Sequence, residues 1–358
     1  MNNIIESSND SIMQQDLEEI AKDNLPIEKI AGRTVLVTGA SGLIGSQIVK
    51  ALACINRLKN TNIRILAFVR NEEKAKKVFA DLLEREDVKL VLGDINSAIS
   101  IEEDVDYIIH GASATSSKYF VSNPVETIKT AMDGTTNILE FAKEKSIKGM
   151  VYLSSLEVYG TPDAGSGMIS ETDYGYIDPM NVRSSYSEGK RMVECLCVSY
   201  AKEYNVPVKV ARLSQTFGTG VEYNDGRVFA EFIRCAMEKK DIVLHTAGNT
   251  VRSYCYSKDA VSAILYILLN GENAEAYNVT NMDTSISIRD MAELVCSIYP
   301  ESGIRTRIEI PEDVSSFGYN PEMIIRLDST KLSKLGWKAT VDLPDMFIRM
   351  RKSIEERI

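Results

Sequence analysis

A tyrosine and a lysine four residues apart, Tyr186 and Lys190, are the side chains of this chain best suited to moving a proton. On a helix that spacing places both on one face. A free phenol ionises at about pH 10, and a neighbouring ammonium favours the phenolate, which makes the group a usable base near neutrality. Such a pair also arises through helix packing alone, so its meaning depends on what accompanies it. Two segments do. Ser154-Ser155-Leu156-Glu157-Val158-Tyr159-Gly160 follows an apolar run of strand character, so its hydroxyls emerge where that strand ends. Thr38-Gly39-Ala40-Ser41-Gly42-Leu43-Ile44-Gly45 follows another such run and leads into a helical stretch over 46–52. Strand, glycine turn and helix in that order make a cradle for a dinucleotide. Gly39 permits the tight turn, Gly42 lets the backbone approach a pyrophosphate at the helix N-terminus, and Gly45 lets helix and strand pack closely, with Ser41, Leu43 and Ile44 lining the site. The flanking strand and helix weigh against a purely structural glycine turn. A cationic nicotinamide carried by that dinucleotide would add to the pull on the Tyr186 proton.

These groups need a sheet to hold them. Apolar, β-rich runs recur at 34–37, 63–69, 89–92, 107–110, 149–153 and 206–211, with helical stretches between them. That alternation predicts right-handed βαβ crossovers and a parallel sheet. The fold class is therefore α/β, a Rossmann-type doubly wound parallel sheet with a smaller mixed α/β substrate lobe. Asn123 is the expected N-cap of a helix with Pro124 at its first position and Glu126 completing a capping box. Residues 1–30 read as a helical extension without chemistry, capped by Ser11 and ending before Pro26. The dinucleotide-binding domain is expected over 31–212 with a returning segment near 253–280, and the substrate lobe over 213–252 and 281–358.

The chain has 358 residues with 41 Lys plus Arg against 51 Asp plus Glu, a formal charge of −10, and no basic block. That excludes a nucleic-acid backbone binder. Six scattered cysteines without a C-x-x-C pair, beside only two histidines, exclude a structural zinc site and leave no metal site to propose. No apolar run reaches membrane-spanning length and the polar start has no signal core, so a cytoplasmic protein with reduced thiols and no membrane partner is expected. Asp94, with Ile95 after the third strand, is placed either to bond an adenine edge or merely to cap a turn. The second strand ends Val69-Arg70, where an NAD site would carry a carboxylate for the ribose hydroxyls. Arg70 either pairs with a 2′-phosphate, which leans the cofactor from NAD toward NADP, or is a solvated surface residue.

Together the glycine fingerprint, the Ser-Ser-x-x-Val-Tyr-Gly segment and Tyr186-x-x-x-Lys190 resemble the extended short-chain dehydrogenase/reductase family, in its nucleotide-sugar epimerase/dehydratase branch. The likeness runs from Gly32 nearly to the end. Four further segments are most similar to UDP-glucuronate decarboxylases: Asn123-Pro124-Val125-Glu126-Thr127-Ile128-Lys129-Thr130, Arg183-Ser184-Ser185-Tyr186-Ser187-Glu188-Gly189-Lys190-Arg191, Asn224-Asp225-Gly226-Arg227-Val228 and Arg252-Ser253-Tyr254-Cys255-Tyr256. The resemblance implies that Ser155 is the catalytic hydroxyl, Tyr186 the base, and Lys190 the residue that lowers its pKa and holds the nicotinamide ribose. It implies that Glu157 lies beside the sugar ring, though a solvated carboxylate is the bland alternative. Arg227, Val228 and Arg252 would face the nucleotide diphosphate. Ala112, in His110-Gly111-Ala112-Ser113, would line the cofactor, with His110 structural. His245 falls where relatives stack an aromatic on uracil, and is as readily a loop histidine.

Departures from the pattern count as well. Leu156 replaces the Asp of dehydratases and the small hydroxyl residue of decarboxylases, Gln215 replaces an Asn expected at the sugar diphosphate, Gly220 replaces an Arg, and the stretch 114–118 lacks the decarboxylases' prolines. The implied function is a nucleotide-sugar enzyme working through a transient 4-keto sugar with a recycled nicotinamide, decarboxylase-like or a 4-epimerase. Dehydration is disfavoured because Leu156 removes the acid. The alternatives are an NADP-dependent carbonyl reductase of a non-nucleotide substrate and a non-catalytic cofactor-binding protein. A homodimer is implied through the helices at 123 to about 143 and 186 to about 204.

Overall fold

In the computed structural model, residues 4–113, 117–163, 167–311 and 322–358 are described. The chain begins with α1 (Ser11–Lys22) and then alternates: β1 (Thr34–Thr38), α2 (Leu43–Lys59), β2 (Arg64–Val69), α3 (Glu72–Phe79), β3 (Val88–Leu92), β4 (Tyr107–His110), α4 (Ser117–Ser122), α5 (Pro124–Glu144), β5 (Gly149–Ser155), α6 (Ser184–Tyr204) and β6 (Val208–Leu213). All six strands pair in parallel, and a later strand, β10, extends the edge beside β6. Val35, Leu36 and Val37 in β1 are fully buried, as expected of a strand covered by helices on both faces. The order β10-β6-β5-β4-β1-β2-β3 reverses direction between β1 and β4. The crevice beyond their C-terminal ends is the topological switch point where such sheets bind ligands.

After β6 the pattern changes: β7 (Gln215–Phe217), α7 (Val228–Glu238), β8 (Ile242–Leu244), β9 (Val251–Tyr256), α8 (Ser257–Asn270), β10 (Ala276–Val279), β11 (Asn281–Ser287), α9 (Ile288–Ile298), β12 (Thr306–Ile308), α10 (Thr330–Ser333) and α11 (Leu343–Arg357). A three-stranded sheet β11-β9-β7 and the pair β12-β8 stand apart from the main sheet. Their core is separate too, built on Phe217, Phe229, Phe232, Met346 and Phe347, with Phe217 stacked on Phe229 at 4.5 Å. Between β9 and β10, α8 is buried from Ser257 to Leu269 and returns the chain to the large sheet.

Two helix starts differ from expectation in their chemistry. The helix α5 does open with Pro124, but Asn123 makes no side-chain cap: its amide donates to the Ser122 hydroxyl at 2.8 Å and its carbonyl accepts from Thr127, so no capping box forms with Glu126. The cap of α1 is Asp10, whose carboxylate accepts from the Met13 N–H at 2.8 Å, while Ser11 is the first helical residue. Nor is this extension a loose addition, since α1 packs on α2, α8 and α11. Among the described residues no helix is long and apolar enough to cross a membrane.

Candidate active site

The chain leaves β1 through Gly39 at φ +67°, and a Cβ there would lie 2.8 Å from the Gly111–Ala112 peptide leaving β4. At Gly45 a Cβ would collide with the Gly39 carbonyl. Gly42 sits at the N-cap of α2 without any side chain to satisfy the first amides, so those N–H groups and the positive end of the helix dipole are open to an anion. His110 pins this turn from below: Nδ1 meets Thr38 Oγ1 at 2.6 Å and Nε2 meets Thr135 Oγ1 at 3.1 Å. Burial, with the Lys190 charge adding to it, pushes the imidazole down to about 3, so it stays neutral. The cradle fits a dinucleotide pyrophosphate, with Ser41, Leu43 and Ile44 half-buried along it.

On the adenine side the geometry is plainer. Asp94 accepts from the Asn96 N–H at 3.0 Å, a turn cap, and Ile95 packs on Gly134, where a Cβ would come within 2.7 Å of its Cδ1. Val69 is buried, whereas Arg70 is exposed. Glu72 does not occupy the Arg70 guanidinium, for it pairs with Lys76 at 2.8 Å.

Beyond β5, Ser155 caps a 3₁₀ turn over Leu156–Tyr159, its hydroxyl accepting from the Glu157 N–H at 3.3 Å. The same hydroxyl is close enough to the Tyr186 phenol to favour its ionised form. The Tyr186 ring stacks on Phe120 at 4.2 Å, and the Arg183 guanidinium lies 5.0 Å from the Phe120 ring. One turn along α6, Lys190 donates to the Leu153 carbonyl at 2.8 Å, with its ammonium 4.6 Å over Tyr152 and 5.7 Å over Tyr186. Burial pushes Lys190 down to about 8, against the pull of Glu194. The Tyr186 phenol is raised, by burial first and the Glu157 carboxylate second, against the Ser155 hydroxyl and the Arg183 charge. Lys190, expected together with a cationic nicotinamide to favour the phenolate, has its ammonium closer to the Tyr152 ring than to that of Tyr186, and burial opposes the shift.

Glu157 is half-buried and paired, binding Arg183 at 2.8 Å and Ser187 Oγ at 2.9 Å. Close by in charge is Arg252, 8% exposed, whose Nη1 has no hydrogen-bond partner among the described residues; Arg183 Nε and Ser214 Oγ are likewise buried without partners among them. Burial lowers the Arg252 pKa and Glu157 opposes it. An unpaired buried guanidinium is costly, and folds keep one where an anion arrives. Gln215 follows Ser214 at the start of β7, beside Tyr254 of β9. Arg227 is already bound to Asp225 at 2.6 Å, and Val228 begins α7. His245 lies just after β8, its Nδ1 3.2 Å from the Glu309 carbonyl.

Leu156 is packed with Val158, Tyr159, Ile169, Ile325 and Leu327, so the residue that breaks the family pattern fills a small apolar core under the turn. The proline-free stretch at 114–118 falls largely outside the described residues. Sequence reasoning missed Phe120, and it gave no role to Ser187 or Ser214. It quoted Arg183 without giving it a role, although its place three residues before Tyr186 sets the two on one helix face.

A family profile described as "NAD dependent epimerase/dehydratase family" matches residues 35–280. The chain belongs to that family. UDP-glucuronic acid decarboxylase 6 of Arabidopsis thaliana is 29% identical over 90% of this chain and 89% of the relative. UDP-glucuronic acid decarboxylase 2 of the same plant is 30% identical over 92% of this chain and 70% of its own length. Among solved structures, UDP-glucuronic acid 4-epimerase from Bacillus cereus, in complex with UDP-glucuronic acid and NAD, aligns with a TM-score of 0.74 at 21% identity, covering 91% of this chain and all of the other. The UDP-glucose 4-epimerase of Thermotoga maritima, with UDP-glucose, aligns equally well at 19% identity over 90% of this chain and 99% of that one. At these identities the structural likeness is one of fold, and it places this sheet among those of the family's enzymes.

Proposed function

We propose that this enzyme decarboxylates a nucleotide-linked uronic acid through a 4-keto sugar, with one nicotinamide recycled per turnover. The observation that carries the reading is Arg252 Nη1, buried and without a hydrogen-bond partner among the described residues, within electrostatic reach of Glu157 and Arg183, which also act on Tyr186, since a sugar carboxylate is an anion of the right kind to meet it. Bound at the Gly39–Gly45 cradle, NAD supplies the acceptor and later the donor of hydride, and its cationic ring supplies the charge that favours the Tyr186 phenolate. Tyr186 takes the C4 hydroxyl proton and Ser155 steadies the charge on that oxygen. Lys190 keeps a positive charge behind the phenol and holds the ribose. Once C4 is a carbonyl, the C6 carboxylate is β to it; the C5–C6 bond breaks, carbon dioxide leaves, and the electron pair is held as an enolate that is protonated at C5. Tyr186 then returns its proton to the C4 oxygen as hydride comes back.

A second reading is 4-epimerisation by rotation of the keto sugar, supported by the shared fold with a UDP-glucuronic acid 4-epimerase. Mass spectrometry after incubation with UDP-, CDP-, GDP- and dTDP-sugars separates the readings. Loss of carbon dioxide supports decarboxylation, unchanged mass with inverted C4 supports epimerisation, and loss of water or no conversion overturns both. Within the same reading, the exposed and unoccupied Arg70 guanidinium supports use of NADP as well as NAD. Titration of both cofactors into wild type and Arg70→Ala tests this, and equal NADP affinities would remove it. The outer faces of α5 and α6 expose Val125, Ile128, Met192 and Val198, which supports a cytoplasmic homodimer joined through these helices. The division into an extension over 1–30, a dinucleotide domain over 31–212 and a substrate lobe mainly after 213 belongs to the same proposal.

A further inference from the structure

The N-terminal extension precedes the family-matched region, yet its side chains reach into that region as far as the loop that follows β7. That loop, 218–221, joins β7, with Gln215 at its start, to the segment holding Arg227. Asp16 of α1 is 1% exposed and grips the loop directly: its Oδ2 accepts from Thr219 Oγ1 at 3.0 Å and from the Tyr256 hydroxyl at 2.6 Å, while Oδ1 accepts from Arg349 of α11 at 2.9 Å. Tyr256 ends the same strand, β9, that carries the unpaired Arg252. Asp10 acts through one more residue. Its Oδ2 accepts from Ser353 Oγ at 2.5 Å, and that hydroxyl accepts from the Gly220 N–H at 3.2 Å.

From the opposite side, Gln47 of α2 donates to the Thr219 carbonyl at 2.7 Å. Gly220 has φ +81°, and a Cβ there would come within 2.9 Å of Met13 Cε and 3.4 Å of Leu43 Cδ1. The loop is thus clamped between the extension and the helix that begins at the dinucleotide cradle.

We propose that Asp16, assisted by Asp10, is a positioning residue of the cleft: it fixes the 218–221 loop and the end of β9 against the cofactor helix. This rests on the nucleotide-sugar reading for what the cleft binds, though not for the geometry of the loop. Glu6 provides the contrast. It lies in the same extension, fully buried, but its charged partners Arg57 and Arg85 belong to the dinucleotide side, and its further partner Gln14 lies within the extension and makes no hydrogen bond to the 218–221 loop or to β9 among the described residues.

The test compares Asp16→Asn with Glu6→Gln in the full chain, by hydrogen–deuterium exchange across residues 215–224 and by steady-state kinetics on UDP-glucuronate with NAD. An amide cannot accept from Thr219, Tyr256 and Arg349 together. Asp16→Asn should therefore speed exchange of this segment and raise KM about tenfold, with kcat changed less than about twofold. Glu6→Gln should lower Tm while leaving that exchange and KM at wild-type values. Unchanged exchange and KM in Asp16→Asn, or equal changes in Glu6→Gln, would overturn the positioning role. A wild type that does not turn over the sugar nucleotide would retire the functional reading alone, because the exchange comparison needs no substrate.

Discussion

The cleft and the N-terminal extension both bury charge, and they treat it in opposite ways. In the extension each deeply buried carboxylate has basic partners: Glu6 with Arg57 and Arg85, Asp10 with Arg357, Asp16 with Arg349. Around the candidate site, Arg252 Nη1, Arg183 Nε and Ser214 Oγ are left without partners among the described residues. Desolvating a charge costs several kcal/mol, roughly, unless a partner in good geometry offsets it. The extension also holds one buried unpartnered atom, Ser7 Oγ, so it is the incompletely paired guanidinium nitrogens of Arg183 and Arg252, rather than incomplete pairing in general, that mark a place for an anionic ligand. Burial likewise holds the Tyr186 phenol above its ordinary pKa, with the Glu157 carboxylate adding to the effect.

Substitutions can sharpen or break this contrast. The largest effect is expected from Tyr186→Phe, which removes only the proton acceptor: turnover should fall about 10²–10⁴-fold with cofactor affinity nearly intact, as read by kinetics and cofactor titration. Next, Glu6→Gln breaks a fully buried ion network and should lower unfolding free energy by about 3–5 kcal/mol in urea titrations. Arg252→Met should do the reverse of that. Removing an unpaired buried guanidinium should leave Tm unchanged or higher, while weakening binding of the nucleotide uronate about ten- to a hundredfold by calorimetry. A Tm loss as large as that of Glu6→Gln would place Arg252 among the structural charges.

The smallest effect concerns pH. Burial pushes the Asp16 carboxyl up to about 6, with Tyr256, Arg349, Thr219 and Lys258 pulling it back. A carboxyl raised above its unfolded value binds its proton more tightly in the folded chain, so its contribution is present in acid and lost as pH rises through about 6. The stability of wild type relative to Asp16→Asn should accordingly shrink between pH values of about 4 and 7, with the variant's own curve flatter across that window. A difference that grows with pH would reverse the assignment.

What could be read from the sequence follows from how far apart the interacting residues are. The six parallel strands and the cradle were legible because apolar runs and three glycines act over a few residues, and the expected runs match β1 to β6 to within a residue or two at most ends. Caps were less so: whether Asp10 or Ser11 starts α1 is decided by Ser353 and Arg357 at the far end of the chain. The extension looked inert for the same reason, since Asp16 meets residues 219, 256 and 349. Glu157 was left between a solvated and a catalytic role because nothing in its own segment reveals Arg183 and Ser187 as its partners. Leu156 was read as a change in the pocket, whereas its contacts are with a small apolar core.

The most direct test follows carbon dioxide release and reduced cofactor together, with UDP-glucuronate in large excess over NAD. The account predicts release of carbon dioxide well beyond the amount of cofactor, with no accumulation of NADH. Stoichiometric NADH, or turnover without carbon dioxide, would contradict it.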